Sequence, residues 1–339
     1  MTVLGIETSC DETSAAVVID GRVASNVISS QYVHQKYGGV VPELASRAHL
    51  RLIIQVVEEA LTRASIGRTE IDTVAVTCGP GLAGALLVGL SFGKALAYGL
   101  GKPFLGVNHM EGHLYSNLLG PAPHGFPFLS LIVSGGHTML VDVEAPFRHT
   151  VLGQTRDDAA GEAFDKVAKM LGLGYPGGPI IDRRAREGDP NGVRFPRAFL
   201  GDGYEFSFSG IKTAVLYHLR RHPLPDPARE GGGPYERTIN DLCASFQEAV
   251  VDVLVTKTIA AAAACGRFDI AIAGGVSANT RLRRRMEEAA APAGRRVHTP
   301  PPDYCMDNGA MIAYVGWMRS TAGELSSMEL PALPNLELQ

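Results

Sequence analysis

The chain has 339 residues, enough for two domains of ordinary size, and its 45% hydrophobic and 19% charged composition excludes a disordered polypeptide. A net charge of −4 excludes a grip on nucleic acid through overall basicity, and five cysteines without a CxxC pair exclude a disulfide framework or a thiolate zinc site. Glycine is in surplus at 39 residues, where usage of roughly 7% gives about 24, and there is no Gly-X-Y period, so backbone is expected to approach a ligand or another element closely at many turns.

In chain order, short apolar runs over 3–6, 15–19 and 23–28 read as a β-meander with an Asp20-Gly21 turn. Ile53, Val56, Val57, Ala60 and Leu61 then trace the stripe of an amphipathic helix, followed by a buried strand over 71–76, a helix over 82–98 and a strand over 104–107. The uncharged run over 73–93 has the length of a membrane span, but Gly79-Pro80-Gly81 interrupts it, so it reads as buried core and no membrane is expected. After Gly120-Pro121-Ala122-Pro123 the opening pattern restarts, with strands over 128–133 and 138–143 about a Ser134-Gly135-Gly136 turn. Helices are expected over 159–171, 239–264, 278–290 and 308–318, a strand over 268–273, and irregular chain over 222–234 and 322–339. Glu7, Asp11 and Glu12 stand early, with no basic stretch before an apolar one, so a secretory signal is not expected and a reducing cytoplasm is.

The repeated meander implies an α/β protein of two related lobes facing a central cleft, residues 1–125 with 305–339 forming one and 126–304 the other. Three strand-to-turn segments carry small and polar residues: Glu7 to Ser14, Ser134-Gly135-Gly136-His137-Thr138, and Gly274-Gly275-Val276-Ser277-Ala278-Asn279. Amides in such turns can cradle phosphate oxygens, and the third opens a helix; each alone also reads as an ordinary hairpin or cap. Asp11 and Glu12 would repel a phosphate, so they suit work on a metal, a proton or an amine, or are solvated turn carboxylates.

His109 and His113 stand at i and i+4, on one face of a helix, a spacing that suits a shared divalent metal. The zincin motif places a glutamate beside the first histidine; here Met110 is there and Glu111 lies about 200° round the helix from His109, so a protease reading is poor. Asp307 is the best third donor, and its other reading is the N-cap of the last helix. Asp165 with Lys169 reads as an i, i+4 pair or a site residue, and Asp182 after Gly177-Gly178-Pro179 as an acceptor for hydroxyls or amines or as part of a plain turn. Arg281, Arg283, Arg284 and Arg285, followed by Arg295 and Arg296, form a local basic patch, read as a nucleic-acid contact or a solvated helix face.

The segments GIETSCDETS (5–14), HQKYGGVVPELASRAH (34–49), NHMEGHLYS (108–116), VSGGHT (133–138), GEAFDKVAK (161–169), YPGGPIID (175–182), FSFSGIKTAV (206–215), GGVSANTRLR (274–283) and DNGAMIA (307–313) together resemble the bacterial TsaD family, over residues 1 to about 318. The resemblance implies the two-lobed fold of actin, hexokinase and the Hsp70 ATPase domain, and transfer of the threonylcarbamoyl group from threonylcarbamoyl-AMP to the exocyclic amine of adenosine at position 37, in the anticodon loop of ANN-decoding tRNA. It implies one divalent metal, iron or alternatively zinc, on His109, His113 and Asp307, and substrate contacts at Ile132, Val133, Ser134, Gly135, Gly136, Asp165, Gly178, Asp182 and Asn279. Ile132 stands where archaeal and eukaryotic relatives have a tyrosine ligand, so water or substrate would complete the coordination. Asp11 or Glu12 is expected to orient the attacking amine or take its proton, and the implied partners are a TsaB-like paralogue and a TsaE-like ATPase. The paired glycines at 135–136, 177–178 and 274–275 are expected to face an adenylate. A kinase of the same fold would leave the histidine pair idle, and an inert scaffold would need no metal set.

Overall fold

The computed structural model describes residues 1–31, 34, 37–120, 123–199, 201, 203–226 and 232–338. Two compact units are formed, Met1–Pro123 with Pro300–Gln339 and His124–Thr299. The strands in chain order are β1 (Thr2–Glu7), β2 (Glu12–Ile19), β3 (Arg22–Ser30), β4 (Thr73–Gly79), β5 (Phe104–Asn108), β6 (Phe128–Val133), β7 (Thr138–Ala145), β8 (Arg148–Gln154), β9 (Asp269–Ala273) and β10 (Arg296–His298). The helices are α1 (Pro42–Arg63), α2 (Ala83–Leu100), α3 (His109–Tyr115), α4 (Ala160–Met170), α5 (Gly177–Ala185), α6 (Ser209–Arg221), α7 (Gly232–Ala264), α8 (Thr280–Ala290) and α9 (Gly309–Thr321).

The sheets have one topology written twice, β3-β2-β1-β4-β5 and, read from the other edge, β8-β7-β6-β9-β10. In each, three antiparallel strands are followed by two that run parallel to the first. The Asp20-Gly21 turn takes positive φ at both residues, 49° and 77°, the conformation whose twist suits a two-residue hairpin. Register makes the copies comparable residue by residue: Ile6 pairs with Val76 as Ile132 pairs with Ala273, so Glu7 at the end of β1 corresponds to Val133, and Thr77 to Gly274.

In the first unit the expected stripe of α1 is buried, and α2 lies on β4 and β1, with Gly89 against Thr8 and Gly93 against Val76 where any side chain would collide. α2 is the one helix among the described residues long and apolar enough to cross a membrane, and its inner face is a layer of this unit's core. Gly5 on β1 lies against the backbone of Gly309 and Ala313, which seats α9 on the sheet and brings the residues before it to the end of β1. The tail differs from the irregular segment expected. It has no regular structure over 324–338 but is tied down: Ser326 N donates to Phe104 O at 3.0 Å, Leu333 N to Cys78 O at 2.8 Å, and Leu330 and Leu336 pack on the core.

In the second unit α7 begins at Gly232, where irregular chain was expected; residues 227–231 of that stretch, like 121 and 122, lie outside the described residues. Strands β8 and β10 were not legible: both are edge strands, largely unburied, and their sequences show no apolar alternation. α6 was hidden too; its N-terminus is held from a distance by Asp157, which accepts from Phe208 N, Ser209 N and both serine hydroxyls at 207 and 209. Among the described residues no disulfide joins any of the five cysteines.

Candidate metal centre and substrate-facing turns

Parallel strands leave their carboxyl ends together at one edge, and that is where each unit carries its polar residues. In the first unit these are the ends of β1, β4 and β5. Asn108 caps α3 by accepting from Met110 N at 2.8 Å, and the helix that follows presents His109 and His113 with ring centroids 4.7 Å apart and planes at 85°. Asp307 completes the set: its Oδ1 is 3.0 Å from His113 Nε2 and 3.5 Å from His109 Nε2, and one donor atom from each of the three lies within 4.8 Å of the others. Asp307 is not the cap of α9. Asn308 is, accepting from Met311 N, while Gly309 N donates to Ser14 Oγ at 2.7 Å and fixes the start of the helix on β2.

Glu7, read from sequence only as a turn acid, is fully buried behind His109. It accepts from His109 Nδ1 at 2.9 Å, from Thr77 Oγ1 at 2.7 Å and from Ser9 N. Burial opposes its charge, but the His109 ring and then Thr77 hold its carboxyl below the usual range. Burial likewise opposes a charged His109, yet Glu7 and then Asp307 carry that ring up to about 9. His113 Nδ1 is buried without a hydrogen-bond partner among the described residues. Two imidazoles and a carboxylate converging on one point, one imidazole backed on its far nitrogen by a second carboxylate, is the donor set of a divalent transition metal. Glu111 turns away from this point, to Arg319 Nη2 at 2.6 Å, so it is not placed as the general base of a zincin.

The turn from β1 to β2 carries Asp11 and Glu12. His49 of α1 holds it: Nε2 lies 2.9 Å from Cys10 O, which can only accept, so Nε2 carries the proton and Nδ1 accepts from Thr13 Oγ1 at 2.8 Å. Burial lowers this imidazole's pKa, which fits that neutral tautomer. Asp11 is partly exposed, whereas Glu12 is 8% exposed. Burial, then the Asp307 and Asp11 charges, push the Glu12 carboxyl up to about 10, so at neutral pH it holds its proton unless a cation stands nearby.

In the second unit the ends of β6 and β9 hold the remaining candidates. Ile132 and Val133 are buried in β6, and the turn after them closes through Ser134 N to His137 O at 2.8 Å and His137 N to Ser134 Oγ at 3.1 Å. Gly161 N donates to Ser134 O at 3.1 Å, which brings α4 to the turn, and Asp165 on α4 accepts from Gly177 N at 2.7 Å, which brings α5. Asp182 on α5 accepts from Thr280 N and Oγ1 and pairs with Arg186. Asn279 caps α8, accepting from Leu282 N at 2.9 Å and donating to Gln247 at 2.7 Å. The candidate residues of this unit are thus linked through the elements that carry them, and Asp182 and Asn279 both fix the N-terminus of α8.

The glycine pairs divide. A side chain at Gly135, Gly136, Gly178 or Gly275 meets nothing within 4 Å, so these backbones are open to a ligand. Gly177 lies against Phe164 O and Asp165 Cα, and Gly274 against Val133 O at a φ of 85°; these two serve packing, contrary to the expectation that all the pairs face a ligand. The basic patch on α8 is also largely claimed. Arg281 makes paired bonds to Glu248 at 2.6 and 2.8 Å, Arg285 reaches Asp252 at 3.1 Å, Arg283 donates to Ser277 O, and Arg284 lies 3.6 Å from Glu288.

Residues 22–314 match the family model of TsaD, tRNA N6-adenosine threonylcarbamoyltransferase. The chain is 56% identical over 339 residues to the protein of that name from Salinibacter ruber, covering 100% of both chains. It is 55% identical over 337 residues to that of Geotalea uraniireducens, covering 98% of this chain and 96% of that one. Among solved structures, the activator of the 2-hydroxyisocaproyl-CoA dehydratase from Clostridium difficile with bound ADPNP aligns at a TM-score of 0.51 with 12% identity, covering 96% of this chain and 99% of that one. HypF from T. kodakarensis aligns at 0.61 with 14% identity, covering 95% and 48%. At such identities these two speak for the fold alone, the α/β class of duplicated meanders and helices expected from the sequence.

Proposed function

The chain belongs to the TsaD family of tRNA N6-adenosine threonylcarbamoyltransferases and transfers a threonylcarbamoyl group to adenosine in tRNA; we propose that the donor is threonylcarbamoyl-AMP and the acceptor the adenosine at position 37 of ANN-decoding tRNAs. The exocyclic amine attacks the carbamoyl carbonyl carbon, the bond from that carbon to the phosphate oxygen breaks, and AMP leaves with the electron pair while the amine gives up a proton. A phosphate is a good leaving group, so positioning carries most of the catalysis and no covalent intermediate with the protein is required. The target base lies in a loop, where reaching it requires no melting of a duplex.

The convergence of His109, His113 and Asp307, with Glu7 behind His109, is the observation that carries this reading beyond the family name. A divalent ion on these three residues, iron or alternatively zinc, would supply Lewis-acid polarisation and orientation of the threonylcarbamoyl end. The open amides at Gly135, Gly136 and Gly178 suit the adenylate, with 132–134 beside it; Asp165, Asp182 and Asn279 hold the helices that frame those turns. Asp11 or Glu12 is assigned to orient the attacking amine or take its proton, Asp11 being the more exposed of the two.

Two partners follow from the reading, a TsaB-like paralogue and a TsaE-like ATPase, both in the cytoplasm. Exposed Leu50 and Ile54 on α1 and Leu87 on α2, two helices packed on each other, support a protein partner. The decisive test supplies threonine, bicarbonate, ATP, unmodified tRNA and the partner enzymes, with nucleoside analysis of the tRNA. Threonylcarbamoyladenosine is expected only when this chain is present, and His109→Ala is expected to abolish it even with supplied threonylcarbamoyl-AMP. Full activity of that variant would remove the metal from the scheme.

A further inference from the structure

We propose that Glu7 is a positioning residue of the metal centre: its carboxylate holds the proton of His109 on Nδ1 and so leaves Nε2 as the atom that coordinates. The inference rests on the reading that His109 is a ligand, and adds a residue outside the ligand set.

Three observations carry it. Glu7 is a carboxylate with no exposure, a costly group to bury unless every lone pair facing a donor is used, and its bonds do use them: Ser9 N on Oε1, and Thr77 Oγ1 and His109 Nδ1 on Oε2. A carboxylate can only accept, so the shared hydrogen belongs to the ring, and Ser9 Oγ at 3.2 Å from Nδ1 is a weaker competitor for the same atom. The duplicated unit is the internal control: at the places of Glu7 and Thr77 it carries Val133 and Gly274. The fold needs neither polar residue there, and the acid stands where the histidine does.

The orientation matters for a ligand. A carboxylate behind an imidazole fixes its tautomer and raises the basicity of the far nitrogen, and loss of such a partner typically weakens metal binding 10–100-fold. His113, whose Nδ1 has no partner among the described residues, lacks this support, so His109 is the anchored ligand of the pair.

Glu7→Gln is the informative substitution because an amide cannot accept on both sides. With its NH2 toward His109 it selects the opposite tautomer and blocks Nε2 with a proton; with its NH2 toward Ser9 N it sets two donors against each other. Zn2+ affinity of the purified full-length protein is measured by competition with a chromophoric chelator, and the tautomer of His109 by long-range 1H–15N spectra of the metal-free protein above about pH 9, where the ring is neutral. Glu7→Gln is expected to bind Zn2+ 10–100-fold more weakly and to lose the Nδ1–H signature, with the metal-free protein still melting cooperatively. Thr77→Val, which removes one bond and keeps the charge, is expected to weaken binding between about two- and tenfold, and it keeps the idea testable if Glu7→Gln fails to fold. Affinity within twofold of the parent in both variants would overturn the inference while leaving the metal reading intact. Failure of the parent to bind Zn2+, or binding undiminished in His113→Ala, would remove both.

Discussion

Asp307 faces two histidines because its neighbour does the capping. Asn308 satisfies Met311 N, so the carboxylate one residue earlier is free of that duty and turns to His113 and His109. The two residues should therefore fail differently. Asp307→Ala is expected to abolish tight metal binding and transfer with little loss of stability, whereas Asn308→Ala should lower stability by about 1 kcal/mol through the lost cap. Chelator competition and thermal melts on the two variants separate these outcomes, and equal losses of stability in both would contradict the division of labour. The histidine pair was legible because i, i+4 spacing states which face a side chain shares, and Asp307 because such a pair needs a carboxylate donor from elsewhere in the chain. Glu7 and His49 were not. What each does is decided by a partner 102 or 36 positions away, and only the strand and helix packing reveals it.

Among the elements, adjacent glycines that look alike in sequence carry opposite demands. Gly178 opens onto free space, so Gly178→Ala should fold as well as the parent and raise the KM for the adenylate donor by crowding it. Gly177→Ala would drive a methyl group into Phe164 O and Asp165 Cα and is expected to cost about 1–3 kcal/mol. Denaturant melts with donor titrations decide between them, and a stable Gly177→Ala protein would mean that α4 and α5 can move apart. The arginines of α8 follow the same logic. Sequence shows four like charges, but the carboxylates that answer two of them lie on α7 and only become neighbours in the fold. Arg281→Glu should lower stability by roughly 1–3 kcal/mol, because it sets a carboxylate against Glu248 in a half-buried site. If it instead leaves stability unchanged and weakens tRNA binding at low salt, the helix face is an RNA contact after all.

At the scale of the molecule, one sheet plan is used twice and loaded differently. The first copy carries histidines and acids at its carboxyl edge, the second carries open glycine turns. Sequence reveals the repeat through its meanders, since apolar runs about a tight turn are local signals; the edge strands β8 and β10 that complete the second copy have too little burial to leave one. In the second unit burial pushes Asp158 up, but the ammonium groups of Lys166 at 2.8 Å and Lys212 at 2.7 Å outweigh it and hold the carboxyl below its usual value. Asp157 and Asp269 are held low in the same way, by serine and amide donors in one case and by Arg296 and His298 in the other. A carboxyl depressed by folding contributes stability above its unfolded value of about 3.9, and that contribution is lost as pH falls through the lower folded value. Asp158→Asn should therefore cost roughly 1–2 kcal/mol at pH 7, a figure reduced for the partial exposure of Lys166, and progressively less as pH falls through the lowered folded value, below which the parent's carboxyl is itself protonated. Melting temperatures of parent and variant, measured from pH 7 downward, are expected to converge in acid. Curves that stay parallel throughout the acid range would show that Asp158 is held by packing and hydrogen-bond geometry rather than by its charge.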